Sequence, residues 1–169
     1  MEINNKRRIL IIGNSCSGKS TFARKISGKL NVKHYDLDDL YFEEKYSKKR
    51  YKKECKILLS KIVQKESWVI EGVYISWTKE ARDSADLIIF LDIPLRKLLI
   101  NAFHRWRESN KKYGQPLKEF FIHIHYIISY YTKKGGYDSK VERTKKFLNG
   151  CENKTIIVKS KKQLNKLLL

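Results

Sequence analysis

With 169 residues, 41% hydrophobic and 33% charged, the chain is long enough for one core, too short for two, and too apolar to be disordered. Its opening residues 1–13 hold only a brief apolar run, too short for a signal-peptide core or a membrane span, so neither export nor a membrane anchor is expected. A formal net charge of +19, from 37 Lys and Arg against 18 Asp and Glu, favours contact with phosphate as nucleotide or nucleic acid, but the lysines are spread along the chain as a solvated surface would have them.

Residues 8–12, Arg-Ile-Leu-Ile-Ile, form an apolar run closed by Gly13, the pattern of a strand buried on both faces. A helix follows over 20–30, with Phe22, Ala23, Ile26 and Leu30 on one face. A short second strand is expected over 32–37, running into the acidic group Asp36, Asp38 and Asp39. Cys55, Leu58, Leu59, Ile62 and Val63 mark a helix over 51–64, followed by a third strand at 68–70 that ends in Glu71-Gly72. Residues 87–91 read as a fourth strand, with Asp92 at its end. Leu95, Leu98, Leu99, Ala102, Phe103 and Trp106 give the strongest helical pattern in the chain.

The polar stretch 109–116 then predicts a break, and a helix resumes at Leu117 until Gly135-Gly136. A further helix is expected with Asp138 as its cap, a fifth strand at 155–158, and a last helix opened by the capping box Ser160 and Gln163. Strands alternating with helices predict an α/β fold, a parallel sheet with helices on both faces and a single domain over 1–169. Ligands in such sheets sit at the carboxyl ends of the strands, which puts Gly13, residues 36–39, Glu71 and Asp92 on one rim.

Gly13-Asn14-Ser15-Cys16-Ser17-Gly18-Lys19-Ser20 satisfies the phosphate-loop pattern G-x-x-x-x-G-K-[ST] between a strand and a helix. Glycines let successive backbone N–H groups point inward, and the helix start adds its positive dipole end. Lys19 is expected at the β- and γ-phosphates of ATP and Ser20 on Mg²⁺, with Thr21 beside it. Cys16 reads as a small side chain that fits the loop and Cys55 as core; with Cys151 they form neither a disulfide framework nor a zinc site, which suits a reducing cytoplasm.

The phosphate loop with Thr-Phe-Ala-Arg after it, Leu37-Asp-Asp-Leu-Tyr41, Trp68-Val-Ile-Glu-Gly-Val-Tyr74 and Arg82-Asp-Ser-Ala-Asp-Leu-Ile-Ile-Phe-Leu-Asp-Ile-Pro94 together resemble the adenylate-kinase-related P-loop family known as DNA topology modulation proteins. The resemblance runs from residue 7 to about 107 and more weakly through the fifth strand and last helix. It implies a nucleoside-monophosphate-kinase fold with sheet order 2-3-1-4-5, an acceptor-binding segment at about 36–66 and a lid at about 105–137. Two departures stand out: Cys16 where Gly or Ala is usual, and Glu71 where the family has Asp.

Glu71, one methylene longer than that Asp, is expected to order Mg²⁺ through water. Asp38 is the expected acid that orients or deprotonates an acceptor hydroxyl, chosen over Asp36 and Asp39 through the resemblance. Arg105 and Arg107, before the polar stretch, and Arg143, in a later helix, are candidates to cover the transferring phosphoryl; Arg82 is a candidate acceptor clamp. Arg50 and lysines 45, 48, 49, 52 and 53 would suit an acceptor that itself carries phosphate. His104, His123 and His125 are expected to be structural, since i and i+2 on a helix face different ways, and Tyr126, Tyr130 and Tyr131 to be packing. The expected function is a cytoplasmic ATP- and Mg²⁺-dependent kinase acting on a small acceptor. The alternative is an ATP-switched nucleic-acid-binding or regulatory protein.

Overall fold

The computed structural model describes residues 3, 5–44, 48–133 and 135–168. In chain order the elements are β1 (Arg8–Gly13), α1 (Lys19–Leu30), β2 (His34–Asp36), α2 (Leu37–Tyr41), α3 (Lys52–Val63), β3 (Trp68–Gly72), α4 (Lys79–Ser84), β4 (Leu87–Leu91), α5 (Leu95–Tyr113), α6 (Leu117–Ser129), α7 (Lys140–Phe147), a 3-10 turn at Glu152–Lys154, β5 (Thr155–Val158) and α8 (Lys161–Lys166). The strands pair in parallel in the order β2-β3-β1-β4-β5, as expected. The pairing of Ile12 with Gly72 and of Asp36 with Glu71 brings the ends of the central strands to one rim.

The alternation of side chains along each strand divides the core into two layers. Ile9 and Ile11 of β1 face α1, α5, α6 and α8 through Phe22, Ile26, Leu98, Ala102, Ile127 and Leu164. Leu10 and Ile12 face α2, α3, α4 and α7 through Leu37, Leu59, Ile62 and Ala81. Cys55 is fully buried in this second layer, as its helical face predicts. A side chain at Gly72 would press within 2.7 Å of Leu37 Cβ, so this position stays bare to let α2 sit on the end of β3.

Several boundaries differ from the sequence expectation, each for a local reason. Strand β2 is shorter because the Asp36 carboxylate accepts from the Asp38 N–H at 2.9 Å and caps α2, an element that the sequence pattern did not announce. Asp38 therefore lies in the first turn of a helix rather than at a strand end. The break expected over 109–116 is confined to residues 114–116, with Gly114 ending α5 in the left-handed conformation; Ser109 to Tyr113 are helical. The cap of α7 is Ser139, not Asp138: its hydroxyl accepts from the Glu142 N–H while the Glu142 carboxylate accepts in turn from the Ser139 N–H at 2.8 Å. The capping of α8 by Ser160 is as expected. Among the described residues no helix is long and apolar enough to cross a membrane.

Candidate active site

The loop from Gly13 to Gly18 joins β1 to α1 and owes its path to small residues. A Cβ at Gly13 would lie 2.8 Å from the Leu91 carbonyl oxygen of the neighbouring strand, and Gly18, directly before α1, adopts φ 95°. Cys16 is left-handed at φ 58°, the conformation that explains why glycine is usual there, and its side chain packs against the first core layer. Asn14 is buried: its side-chain oxygen accepts from the Ser15 N–H at 2.7 Å, and its amide donates to the Ile127 carbonyl at 3.0 Å. Ser20 is partly exposed and Thr21 exposed in the first turn of α1.

Lys19 is buried and donates to the Asn14 carbonyl at 3.0 Å. Burial lowers its pKa, opposed by the charges of Glu71, Asp38 and Asp36, so the ammonium sits among three carboxylates. Asp36 is pushed up to about 6, first by burial and then by Glu71. Glu71 is 2% exposed; its Oε1 lies 3.8 Å from His34 Nε2 and has no hydrogen-bond partner, and the buried Ser17 hydroxyl at the loop also has none. Burial lowers the His34 pKa as well, aided by Arg24. Open donors and acceptors at the end of a phosphate loop are what a nucleotide phosphate chain and a hydrated Mg²⁺ need, so the residues present fit both ligands.

Around the loop the structure gathers residues that the motif did not name. Asn101 of α5 donates to the Cys16 carbonyl at 2.9 Å. His123 of α6 meets Ser15 Oγ at 2.7 Å and lies 3.9 Å from Cys16 Sγ. The Tyr131 phenol donates to the Ile93 carbonyl at 2.9 Å and also meets the Asn14 side chain. These contacts fix the α5–α6 hairpin, zipped by Phe103, Trp106 and Phe120, against the outer rim of the loop. His123, expected to be structural, is tied to the phosphate loop by this contact. Its signal in the sequence was periodic: Phe120, His123, Ile124, Ile127 and Tyr131 share one helical face. Tyr130 and Tyr131 pack as expected, whereas Tyr126 is 40% exposed beside Asp38.

The arginine candidates separate. Arg105 is exposed on α5 near His123, whose pKa it helps burial to lower. Arg107 is exposed on the same helix. Arg143 lines a surface cavity of about 310 Å³ with Ser129, Tyr137 and Asp138, and none of the lining residues belongs to the phosphate loop. Arg82 is in the last turn of α4, which leads into the amino end of β4, so it sits at the edge of the sheet opposite the rim; it pairs with Asp83 at 2.6 Å and donates to the Phe147 carbonyl at 2.7 Å. Arg50 donates to the carbonyls of Asp39, Leu40 and Phe42, closing the end of α2. Lys48 pairs with Glu43 at 3.1 Å, Lys49, Lys52 and Lys53 are exposed, and Lys45 lies outside the described residues.

No family model matches the chain. Over 106 residues it is 34% identical to an uncharacterised protein, YqaC, of Bacillus subtilis (strain 168), and this match spans 60% of each of the two chains. Among solved structures it is similar to the shikimate kinase of Acinetobacter baumannii in complex with shikimate, with a TM-score of 0.60 at 14% identity over 98% of this chain and 93% of that one. A shikimate kinase from Bacteroides thetaiotaomicron gives 0.57 at 16% identity, covering 96% and 94% of the two chains. A gluconokinase from Sinorhizobium meliloti 1021 gives 0.54 at 14% identity, covering 99% and 89%. The fold is that of the P-loop kinases. With it comes a reason for the geometry: the loop, the acidic rim and the α5–α6 hairpin meet where this fold has its strand ends.

Proposed function

We propose that the protein is a phosphotransferase that moves the γ-phosphoryl group of ATP onto a hydroxyl of a small acceptor. The observation that carries this reading is the position of Lys19, which is buried at the mouth of a complete phosphate loop and surrounded by Glu71, Asp36 and Asp38. Loop residues 13–18 would wrap the phosphates with backbone N–H groups, and Lys19 would leave the Asn14 carbonyl for the β- and γ-oxygens. Magnesium, when bound, neutralises charge on the transferring group, with Ser20 and Glu71 as its holders. Asp38, held by the Tyr74 hydroxyl at 2.8 Å, would orient the acceptor hydroxyl and take its proton. The segment 36–66 would bind the acceptor, and the hairpin within 105–137 would cover the phosphates, keeping water out.

The chain's segments also support a place near the DNA topology modulation proteins, and the kinase architecture serves that placement without further assumption. The nucleic-acid-binding alternative rests on net charge and on the name of the resembling family, and draws no support from the comparisons. The test is phosphoryl transfer from γ-labelled ATP over a panel of hydroxyl compounds. Wild type should label an acceptor, Lys19→Ala should not, and Asp38→Asn should keep ATP binding while losing about 10²-fold or more in turnover. Transfer by Asp38→Asn at the wild-type rate would remove Asp38 from the chemistry.

A further inference from the structure

Helices α1, α5, α6 and α8 lie on one side of the sheet and α2, α3, α4 and α7 on the other, and the two sides differ in charge. Besides the buried Lys19, the first set carries 13 Lys and Arg, three on α1, six on α5, one on α6 and three on α8, against two acids, Glu108 and Glu119. The second set carries 10, four on α3, two on α4 and four on α7, against six acids. Positive charge that is spread along the sequence is thus concentrated by the fold on one face.

On that face Arg96, Ile100, Phe103, Arg107 and Lys111 stand at i, i+4, i+7, i+11 and i+15 of α5, a single row in which three exposed cations flank two apolar side chains. On α6, Leu117, Phe121 and Ile128 form a second row at i, i+4 and i+11. The rings of Phe103, Phe120 and Phe121 follow one another at 6.1 and 5.6 Å and join the two rows. Ile100, Phe103, Leu117 and Phe121 are between 44% and 60% exposed, an apolar area that no described element covers. Neither Glu108 nor Glu119 falls in the rows. The rows face away from the phosphate loop, because Asn101 and His123, which bond to it, lie on other sides of their helices.

Charge and apolarity together select what covers this face. A second copy of the chain would set these cations against their own kind. A nucleic acid would pair with the cations but press its charged backbone on Ile100, Leu117 and Phe121, whose side chains neither donate nor accept a hydrogen bond. An anionic bilayer meets both demands: lipid phosphates pair with Arg and Lys, and the layer beneath them takes up apolar side chains. We infer that the outer face of α5 and α6 docks on the surface of an anionic membrane. Ile100, Phe103, Leu117 and Phe121 enter the boundary between headgroups and acyl chains, and Arg96, Arg107 and Lys111 rest on lipid phosphates. The contact is at the surface, since no described helix is long and apolar enough to cross a membrane. It does not depend on the kinase reading.

The test is sedimentation of the full chain with vesicles of phosphatidylcholine alone and of phosphatidylcholine mixed with phosphatidylglycerol, at physiological salt. Wild type should bind the mixed vesicles about tenfold or more tightly than the neutral ones. Phe121→Ser and Ile100→Ser keep every charge and should each weaken binding about threefold or more. Arg96→Ser with Lys111→Ser should weaken it about tenfold, and Lys161→Ser with Lys162→Ser, on α8 rather than in the rows, less than about threefold. Circular dichroism confirms the fold of each variant. Equal binding to the two kinds of vesicle, Phe121→Ser and Ile100→Ser proteins that bind like wild type, or equal losses from the two double variants overturns the inference. So does a loss on Phe121→Ser that is seen with a DNA duplex or polyglutamate but not with vesicles, which would assign the face to a nucleic acid or an acidic protein.

Discussion

Nε2 of His123 lies 2.7 Å from the hydroxyl of Ser15, which ties the middle of α6 directly to the phosphate loop. Burial, with the Arg105 charge adding to it, lowers the His123 pKa, so the folded protein holds this imidazole neutral more firmly than the unfolded chain does. A depressed histidine pKa contributes stability that is present above the unfolded value of about 6.5 and is lost as pH falls below it. His123→Gln should therefore flatten part of the acid-side loss seen in urea unfolding between about pH 7.5 and pH 5.5. The wild-type loss includes His34, shifted in the same direction, so the difference between the two proteins is the quantity to read. Identical pH slopes would show that burial does not hold the His123 imidazole neutral in the folded protein.

Asp36 predicts the opposite slope. Its carboxyl, raised to about 6 by burial and by Glu71, holds a proton in the folded state that the unfolded chain releases near the ordinary value of 3.8. Stability should fall as pH rises through that window, by up to about one proton's worth of slope. Asp36→Asn keeps a side-chain oxygen for the Asp38 N–H and removes the charge, so it should be more stable than wild type above pH ~6 and equal to it near pH ~4. Thermal unfolding of the unliganded protein at those two pH values decides it, and an Asp36→Asn protein no more stable at the higher pH contradicts the charge crowding described at the rim.

Arg105 and Arg107 were indistinguishable in sequence, and their surroundings now rank them. Arg105 is the one whose charge reaches His123, and through it the outer edge of the phosphate loop. If the hairpin tightens onto the nucleotide, a contact made mainly in the reacting state should affect turnover more than ATP affinity. Arg105→Ala should lower turnover about tenfold or more, and Arg107→Ala less than about threefold, measured as steady-state kinetics beside ATP titrations. The reverse ranking would move the covering role further along α5.

The loop, the strands and the acidic rim were legible because each depends on local chemistry: glycines in the loop, β-rich apolar runs in the strands, carboxylates where those runs stop; the order of the sheet came from the resemblance. Residues 109–113 misled because an exposed helix end built of Ser, Asn, Lys and Tyr carries no apolar stripe, and its stop signal is the single Gly114. Short α2 was hidden for a related reason, since one turn shows no period and only the Asp36 cap defines it. His123, Tyr74 and Tyr126 could not be joined to the site from spacing, because Ser15–His123 and Asp38–Tyr74 are tertiary contacts between residues 108 and 36 positions apart. Arg50 was misleading in another way: a cation in the right segment whose donors are consumed by the end of a helix.

The central claim is that Lys19 and its loop hold the triphosphate of ATP. Isothermal titration of the unliganded protein with Mg-ATP, beside Lys19→Ala, tests it most directly. Lys19 is buried beside Glu71, Asp38 and Asp36, so removing it costs the phosphates a buried amino group and leaves three acidic side chains facing them. The account predicts saturable binding by wild type and affinity reduced about 10²-fold or more in the variant, with its fold confirmed by circular dichroism. Equal affinity in the two proteins, or no binding by wild type, would contradict it.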